Sequence, residues 1–273
     1  MRVKDKVIVV TGAGSGIGRE LVLSLVSRGA RIAGVDINAE SLAETSSLIA
    51  GGAASFQMLV ANVADCDAVK LLPEQVLQHF GPADAVINNA GIIQPFVALN
   101  NLEIATIERV LKVNLFGVLY VIKAFLPQFL ARPEAQLVNL SSMGGFLPVP
   151  GQTVYCAAKA GVKLLSEGLA SELMNTNVHV IAVFPGAIAT NITQNSGHAA
   201  PPAASQEGGG KAMPAARAAE LIIRGMERNA RAVFVGRDST TMNWLHRLNP
   251  GFAARMIAKK MSGLLAATST PHE

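Results

Sequence analysis

The sequence predicts an α/β fold, a doubly wound parallel sheet with helices on both faces. Three observations carry that reading. An apolar run near the N-terminus breaks into the glycine loop TGAGSGIG and then takes up helical periodicity. Short apolar runs go on alternating with helical patterns along most of the chain, which is the signature of βαβ units joined by right-handed crossovers. The composition is half apolar with few aromatics (5%) and a mean hydropathy of +0.36, which suits close-packed helices on a sheet buried on both sides. At 273 residues the chain is read as one domain over 1–273 with a substantial core.

Taken in order, residues 6–10 form the first strand, 19–27 the helix after the glycine loop, and 31–35 a second strand closed by Asp36. A helix over 38–50, a strand over 55–60, a helix over 65–79 and a strand over 85–88 continue the alternation. Two helical stretches follow, 104–114 and 115–130, the second interrupted by Pro127. Residues 136–140 make the fifth strand, 153–174 a long helix, 178–183 the sixth strand, 215–228 a helix and 232–235 the last strand. Between them, 191–214 is crowded with Gly, Ala, Pro and Ser and nearly devoid of large apolar side chains. A loop of that length inside a domain reads as a flexible substrate lid. The tail, 239–266, carries the only tryptophan, Trp244. In it Phe252, Met256, Ile257, Met261 and Leu264 fall at helical spacing, with Arg255, Lys259 and Lys260 between them.

Composition excludes several function classes. A net charge of +4 with no aromatic-interleaved basic patch gives no case for nucleic acid. Cys66 and Cys156 form no CxxC or ligand pattern and are expected as reduced thiols. His79, His179, His198, His246 and His272 have no ligand spacing, so no metal is expected. Neither a signal peptide nor an apolar run of about eighteen residues is seen, which leaves the cytoplasm as the expected location.

The chemistry concentrates in two stretches. Gly12, Gly16 and Gly18 stand directly after a strand and at the start of a helix, where a tight turn and free helix-terminal N–H groups suit a pyrophosphate. Asp36, ending the second strand, can accept both hydroxyls of an adenosine ribose and would repel a 2′-phosphate. Its neighbour Ile37 offers that phosphate no cation. NAD is therefore expected over NADP. Tyr155 opens an alanine-rich helix, and Lys159 lies four residues later on the same face. A phenol is a weak base at neutral pH, and a nearby ammonium lowers its pKa. Ser142, thirteen residues upstream, or its neighbour Ser141 can steady a substrate oxygen. Adjacent strand residues point to opposite faces, so only one of them can serve.

With these motifs the chain resembles the short-chain dehydrogenase/reductase family. The resemblance runs through TGAGSGIG at 11–18, NNAG at 88–91, Asn114 in VNLFG, Ser142, YCAAK at 155–159 and PGAIAT at 185–190, in the family's order and spacing. It implies a Rossmann-like sheet of about seven strands. It selects Ser142 over Ser141 as the partner of the substrate oxygen, makes Tyr155 the acid/base and has Lys159 lower the tyrosine pKa and hold the nicotinamide ribose. Asn114 would hold a water in a proton relay. Cofactor contacts are implied at Gly12, Ser15, Gly16, Ile17, Gly18, Asp36, Ile37, Asn62, Val63, Asn89, Ala90 and Gly91, then at Tyr155, Lys159, Pro185, Gly186, Ile188 and Thr190. Thr11 and Asn88 would stabilise the sheet beside them. In one departure, Asn62 stands where the family usually has an Asp facing the adenine, and its amide carbonyl can still accept that hydrogen bond.

These residues lead to an NAD-dependent oxidoreductase moving a hydride between a nicotinamide and a secondary alcohol or ketone. Phe146, Leu147, Val149 and Pro150 before Tyr155 offer no charge, which favours an uncharged, hydrophobic substrate. The alternatives are a 3-oxoacyl thioester reductase and, from another class, a non-catalytic nucleotide-binding scaffold. The family resemblance implies a homodimer or homotetramer. The tail is expected to cover the pocket or a subunit interface, or to make a peripheral membrane contact.

Overall fold

The computed structural model describes residues 1–50, 53–197 and 212–266. Seven parallel strands form one sheet: β1 (Val7–Thr11), β2 (Arg31–Asp36), β3 (Phe56–Val60), β4 (Ala85–Asn88), β5 (Ala135–Leu140), β6 (Val178–Pro185) and β9 (Ala232–Val235). Their order is β3-β2-β1-β4-β5-β6-β9. The chain winds outward from β1 to β3, then crosses back over β1 to build the other half. That reversal leaves a crevice at the C-terminal ends of β1 and β4, the place where open α/β sheets bind ligands.

Strand alternation sorts the core into two layers. Ile8 and Val10 point to the side covered by α1 (Gly16–Ser27) and α8 (Ala215–Glu227). Val7 and Val9 point to the side covered by α3 (Cys66–Phe80), α5 (Gly117–Leu130) and α6 (Thr153–Glu172). All five residues of β1 and all six of β5 are buried, as central strands require. The short α2 (Ala39–Ser47) packs beside β2 and β3, its first turn capped by Asn38.

Two differences from the sequence reading concern helices. Pro127 lies inside α5 without ending it. The irregularity falls earlier, where a π-helical turn over Lys112–Phe116 joins α4 (Ile104–Leu111) to α5. Residues 104–130 thus form one continuous helical run, long and apolar enough by length and composition to cross a membrane, although no such run was expected from sequence. Its Val118, Val121, Ile122, Phe125 and Phe129 are buried between α3 and the sheet, which is the packing of a core helix.

The expected lid is partly structured. Strand β7 (Ile188–Ala189) pairs in parallel with β8 (Met213–Pro214), and the one-turn α7 (Ile192–Asn195) lies between them in sequence. Residues 198–211 lie outside the described residues. The tail forms two helices, α9 (Arg237–Leu248) and α10 (Pro250–Ala266), seated over Leu147 through Met242, Ala253 and Ile257.

Candidate active site

A cleft of about 810 Å³ opens at the β1/β4 switch point, within the range of small-molecule sites. One end is made mostly of backbone. Gly12 has φ +66° and sits so close to the segment after β4 that a Cβ would come 2.9 Å from the Ala90 Cα, so only glycine fits this turn. Thr11 Oγ1 accepts the N–H groups of Asn89 and Ala90, both at 3.0 Å, and the Asn89 amide donates to the carbonyls of Thr11 and Gly12. These bonds tie NNAG to the glycine loop. Asp36 accepts the N–H of Gly14 through one oxygen (2.9 Å) and that of Asn38 through the other (3.0 Å). Each oxygen keeps a further lone pair, and the residue lines the cleft beside Ile37. Gly12, Ser15, Gly16, Ile17, Asn62, Val63, Asn89, Ala90 and Gly91 line the same wall.

Gly18 does not. A Cβ there would lie 1.9 Å from the Gly12 carbonyl oxygen, so this glycine lets α1 pack against the turn from behind and touches no ligand space. The rest of the wall fits a dinucleotide: a backbone cradle that side chains would fill, a helix N-terminus, and a carboxylate with spare lone pairs.

Side chains make the other end, with Ser141 and Lys159 buried behind Ser142 and Tyr155. Ser142, just past the end of β5, accepts the Gly144 N–H at 3.0 Å and lines the cleft together with Tyr155. Ser141 is used elsewhere: its buried hydroxyl donates to the Lys159 carbonyl at 2.7 Å, pinning α6 to β5. Lys159, 4% exposed, donates to the Leu140 carbonyl at 2.9 Å and lies 5.9 Å from the Tyr155 ring centroid. Burial pushes the Tyr155 phenol up to about 12, with the neighbouring Ser142 hydroxyl pulling the other way. Burial also brings the Lys159 ammonium down to about 8. The sequence expectation that Lys159 lowers the tyrosine pKa is thus not the dominant effect in this site. Desolvation of both groups outweighs it. Pro185, Gly186, Ile188 and Thr190 complete this part of the cleft.

Asn114 is buried behind the cleft and does not line it. Its amide donates to the carbonyls of Ile92 and Val110, both at 2.9 Å, and its Oδ1 accepts the Ile92 N–H at 3.2 Å. The side chain therefore braces the strand-end loop at Ile92 against the helical run that carries it.

Sequence reasoning missed Gln94. Fully buried, it accepts the N–H groups of Val154 (2.9 Å) and Tyr155 (3.1 Å) through Oε1 and donates to the Gly151 carbonyl at 3.0 Å. Its own carbonyl accepts from Gln152 at 2.7 Å. Gln94 thus caps the helix that carries Tyr155 from across the cleft, satisfying N–H groups that a helix start leaves open. The only signal was a lone amide in the apolar run IIQPF.

A second latch was also missed. Ile93 N–H donates to Ser196 Oγ at 2.9 Å, Arg109 donates to the Ser196 carbonyl at 3.0 Å, and the Asn195 amide donates to Ser15 Oγ at 2.7 Å. Together they fasten α7 across the cleft from both sides.

The apolar loop before Tyr155 is not where the sequence reading put it. Leu147 is buried under α9 and α10, and Phe146 packs edge-on against Phe184 and Phe234. With Val149 and Pro150 they line a second hollow of about 850 Å³ against the tail. The apolar side chains that line the first cleft include instead Ile92, Ile93, Ile188 and Ile192.

Comparison with known proteins agrees with this geometry. A family model described as short chain dehydrogenase matches residues 6–201. SadH, a candidate oxidoreductase of Mycobacterium tuberculosis, is 38% identical over 71% of this chain and 70% of its own length. The 3-oxoacyl-[acyl-carrier-protein] reductase FabG of Thermotoga maritima is 37% identical over 71% of this chain and 78% of its own. Among solved structures, a short chain dehydrogenase/reductase from Burkholderia phymatum in complex with NAD superposes with a TM-score of 0.83 at 25% identity, covering 92% of this chain and 96% of that one.

Proposed function

The chain belongs to the short chain dehydrogenase family and is an oxidoreductase of CH–OH and keto groups; from that premise we propose that it uses NAD and interconverts a secondary alcohol and its ketone. The observation carrying the reading is that Ser142, Tyr155 and the buried Lys159, its Nζ 5.9 Å from the Tyr155 ring centroid, line the far end of a cleft whose near end holds Asp36. The nicotinamide, when bound, supplies the hydride acceptor or donor.

The chain's own residues handle the proton. Ser142 hydrogen-bonds the substrate oxygen. With its pKa near 12, Tyr155 keeps its proton at neutral pH and is ready to give it to a carbonyl oxygen during reduction. In oxidation the same oxygen must first be ionised, and the buried ammonium of Lys159 is the cation placed to favour that form. The Ser141 bond to the Lys159 carbonyl and the Gln94 cap keep the α6 groups in place. The water relay at Asn114 that the family resemblance implies belongs to the same proposal, with Asn114 bracing the loop at Ile92.

Ile92, Ile93, Ile188 and Ile192 support an uncharged, hydrophobic substrate. The likeness to FabG supports the second reading, a 3-oxoacyl thioester reductase. Cytoplasmic location and a homodimer or homotetramer belong to the same proposal. Leu164, 58% exposed on the outer face of α6, supports a subunit contact there. Initial rates with NAD and NADP over alcohols from small aliphatic to steroid-sized, together with Tyr155→Phe, test the proposal. The variant is expected to lose turnover about 10²–10⁴-fold while binding NADH unchanged. Undiminished turnover would remove Tyr155 from its role, and NADH binding without turnover in the native chain would support the scaffold alternative.

A further inference from the structure

We propose that the outer face of α9 and α10 docks on a bilayer surface carrying anionic phospholipid. Four large apolar side chains stand exposed within thirteen residues of sequence: Trp244 (62%), Leu248 (80%), Phe252 (49%) and Met256 (38%). Trp244 and Leu248 are four apart on α9, and Phe252 and Met256 are four apart on α10, so each helix presents its pair on one face. The inner faces are already engaged, with Met242, Ala253 and Ile257 packed on Leu147. The exposed residues are therefore not the helices' means of folding onto the domain, and so large a grouping of exposed apolar side chains marks a contact surface.

Charge selects the occupant. Residues 239–272 contain Arg247, Arg255, Lys259 and Lys260 and no Asp or Glu. The chain has 23 Lys and Arg against 19 Asp and Glu, so outside this segment the charges balance and the whole net positive charge lies in it. At about 100° per residue, Arg255 and Lys259 fall on one side of the Phe252/Met256 pair and Lys260 on the other. Arg255 and Lys260 are both exposed. Cations flanking the narrow Phe252/Met256 strip, with Trp244 and Leu248 exposed on the helix before it, are the pattern of a segment lying in the headgroup region, where the apolar side chains enter the acyl boundary and the cations meet lipid phosphates. A water-soluble acidic partner would satisfy the cations and leave Trp244, Leu248 and Phe252 without a reason to be exposed. This inference is independent of the chemistry proposed for the cleft.

Because Trp244 is the only tryptophan, its emission reports on this face alone. The full chain is titrated with vesicles of phosphatidylcholine and with vesicles containing phosphatidylglycerol as well. A blue shift with the anionic vesicles, reversed by salt and absent with phosphatidylcholine alone, is expected. Arg255→Gln with Lys260→Gln is expected to weaken the apparent affinity about 30-fold. Leu248→Ser with Phe252→Ser should abolish the shift while the melting temperature stays unchanged. Four results would overturn the proposal: no shift on any vesicle, an equal shift on neutral vesicles, a shift that grows with protein concentration without lipid, or a shift produced by polyglutamate and not by vesicles. The last two would assign the face to a second copy or to an acidic protein.

Discussion

The two ends of the cleft are built from different materials. At the adenosine-side end, backbone does the work: a glycine turn pressed on the segment after β4, N–H groups shared with Thr11, and Asp36 held by two loop amides. At the Tyr155 end, buried side chains do it, each engaged by a partner far away in sequence: Gln94 with residues 151–155, and Ser141 with Lys159. A backbone cradle needs only the right local residues and tolerates water. A buried polar cluster is stable only when every member is satisfied. Damage at the first end should therefore alter which ligand binds, and damage at the second should alter turnover and stability together.

The sharpest way to break the contrast is at Asp36. Asp36→Ser is expected to shift the ratio of kcat/KM for NAD over NADP by on the order of 100-fold towards NADP, since removing a like charge facing a phosphate relieves several kcal/mol. Unchanged preference in steady-state rates would deny the carboxylate its role. Next comes Gln94→Leu, which leaves the Val154 and Tyr155 N–H groups and the Gly151 carbonyl without this partner. At about 1–3 kcal/mol for each buried group left unpaired, thermal unfolding should occur well below that of the native chain. Turnover should fall about tenfold for the roughly 1.4 kcal/mol of positioning lost, and NADH affinity, measured by fluorescence titration, should be kept. A parallel loss of NADH affinity would show that the two ends are not separable.

Lys159 gives a prediction in pH. Its folded-state pKa, about 8, lies below the ordinary 10.5, so the unfolded chain binds more protons between those values. Stability should rise from pH 8 to 10.5 and fall away as pH drops through 8. Tyr155, raised from 10.0 to about 12, works in the opposite sense and should lose stability above pH 10. Urea unfolding of Lys159→Met should lack the rise between pH 8 and 10. The smallest effect is expected for Asn195→Ala. Losing the exposed bond to Ser15 should weaken NADH by no more than about fivefold, the worth of one ordinary hydrogen bond.

Legibility in the sequence follows the same division. The alternation of apolar runs placed all seven strands of the sheet, with ends shifted by a residue or two, because both faces of a parallel sheet are apolar and the period is short. The glycine loop, Asp36 and the Tyr155–Lys159 spacing were legible because their partners are near in sequence or on one helix turn. Gln94, Ser196 and the bracing role of Asn114 were not, since each acquires its meaning from a segment between 20 and more than 100 residues away. Gly18 was read as a ligand contact because spacing alone cannot tell a glycine that faces a ligand from one that faces a turn. Phe146 and Leu147 were assigned to the substrate because an apolar loop carries no mark of which hollow it lines.

The Gln94 cap has a practical consequence for anyone recasting this enzyme. The 143–152 segment looks like an interchangeable module, bounded by a strand end and a helix start. Its last residues and the helix it feeds are anchored to an amide some sixty positions earlier. A graft of that segment from a relative would arrive without its fastening unless the stretch around 92–95 travels with it. Transplants that move both segments should fold, and those that move one should yield chains that still take up nucleotide but turn over poorly.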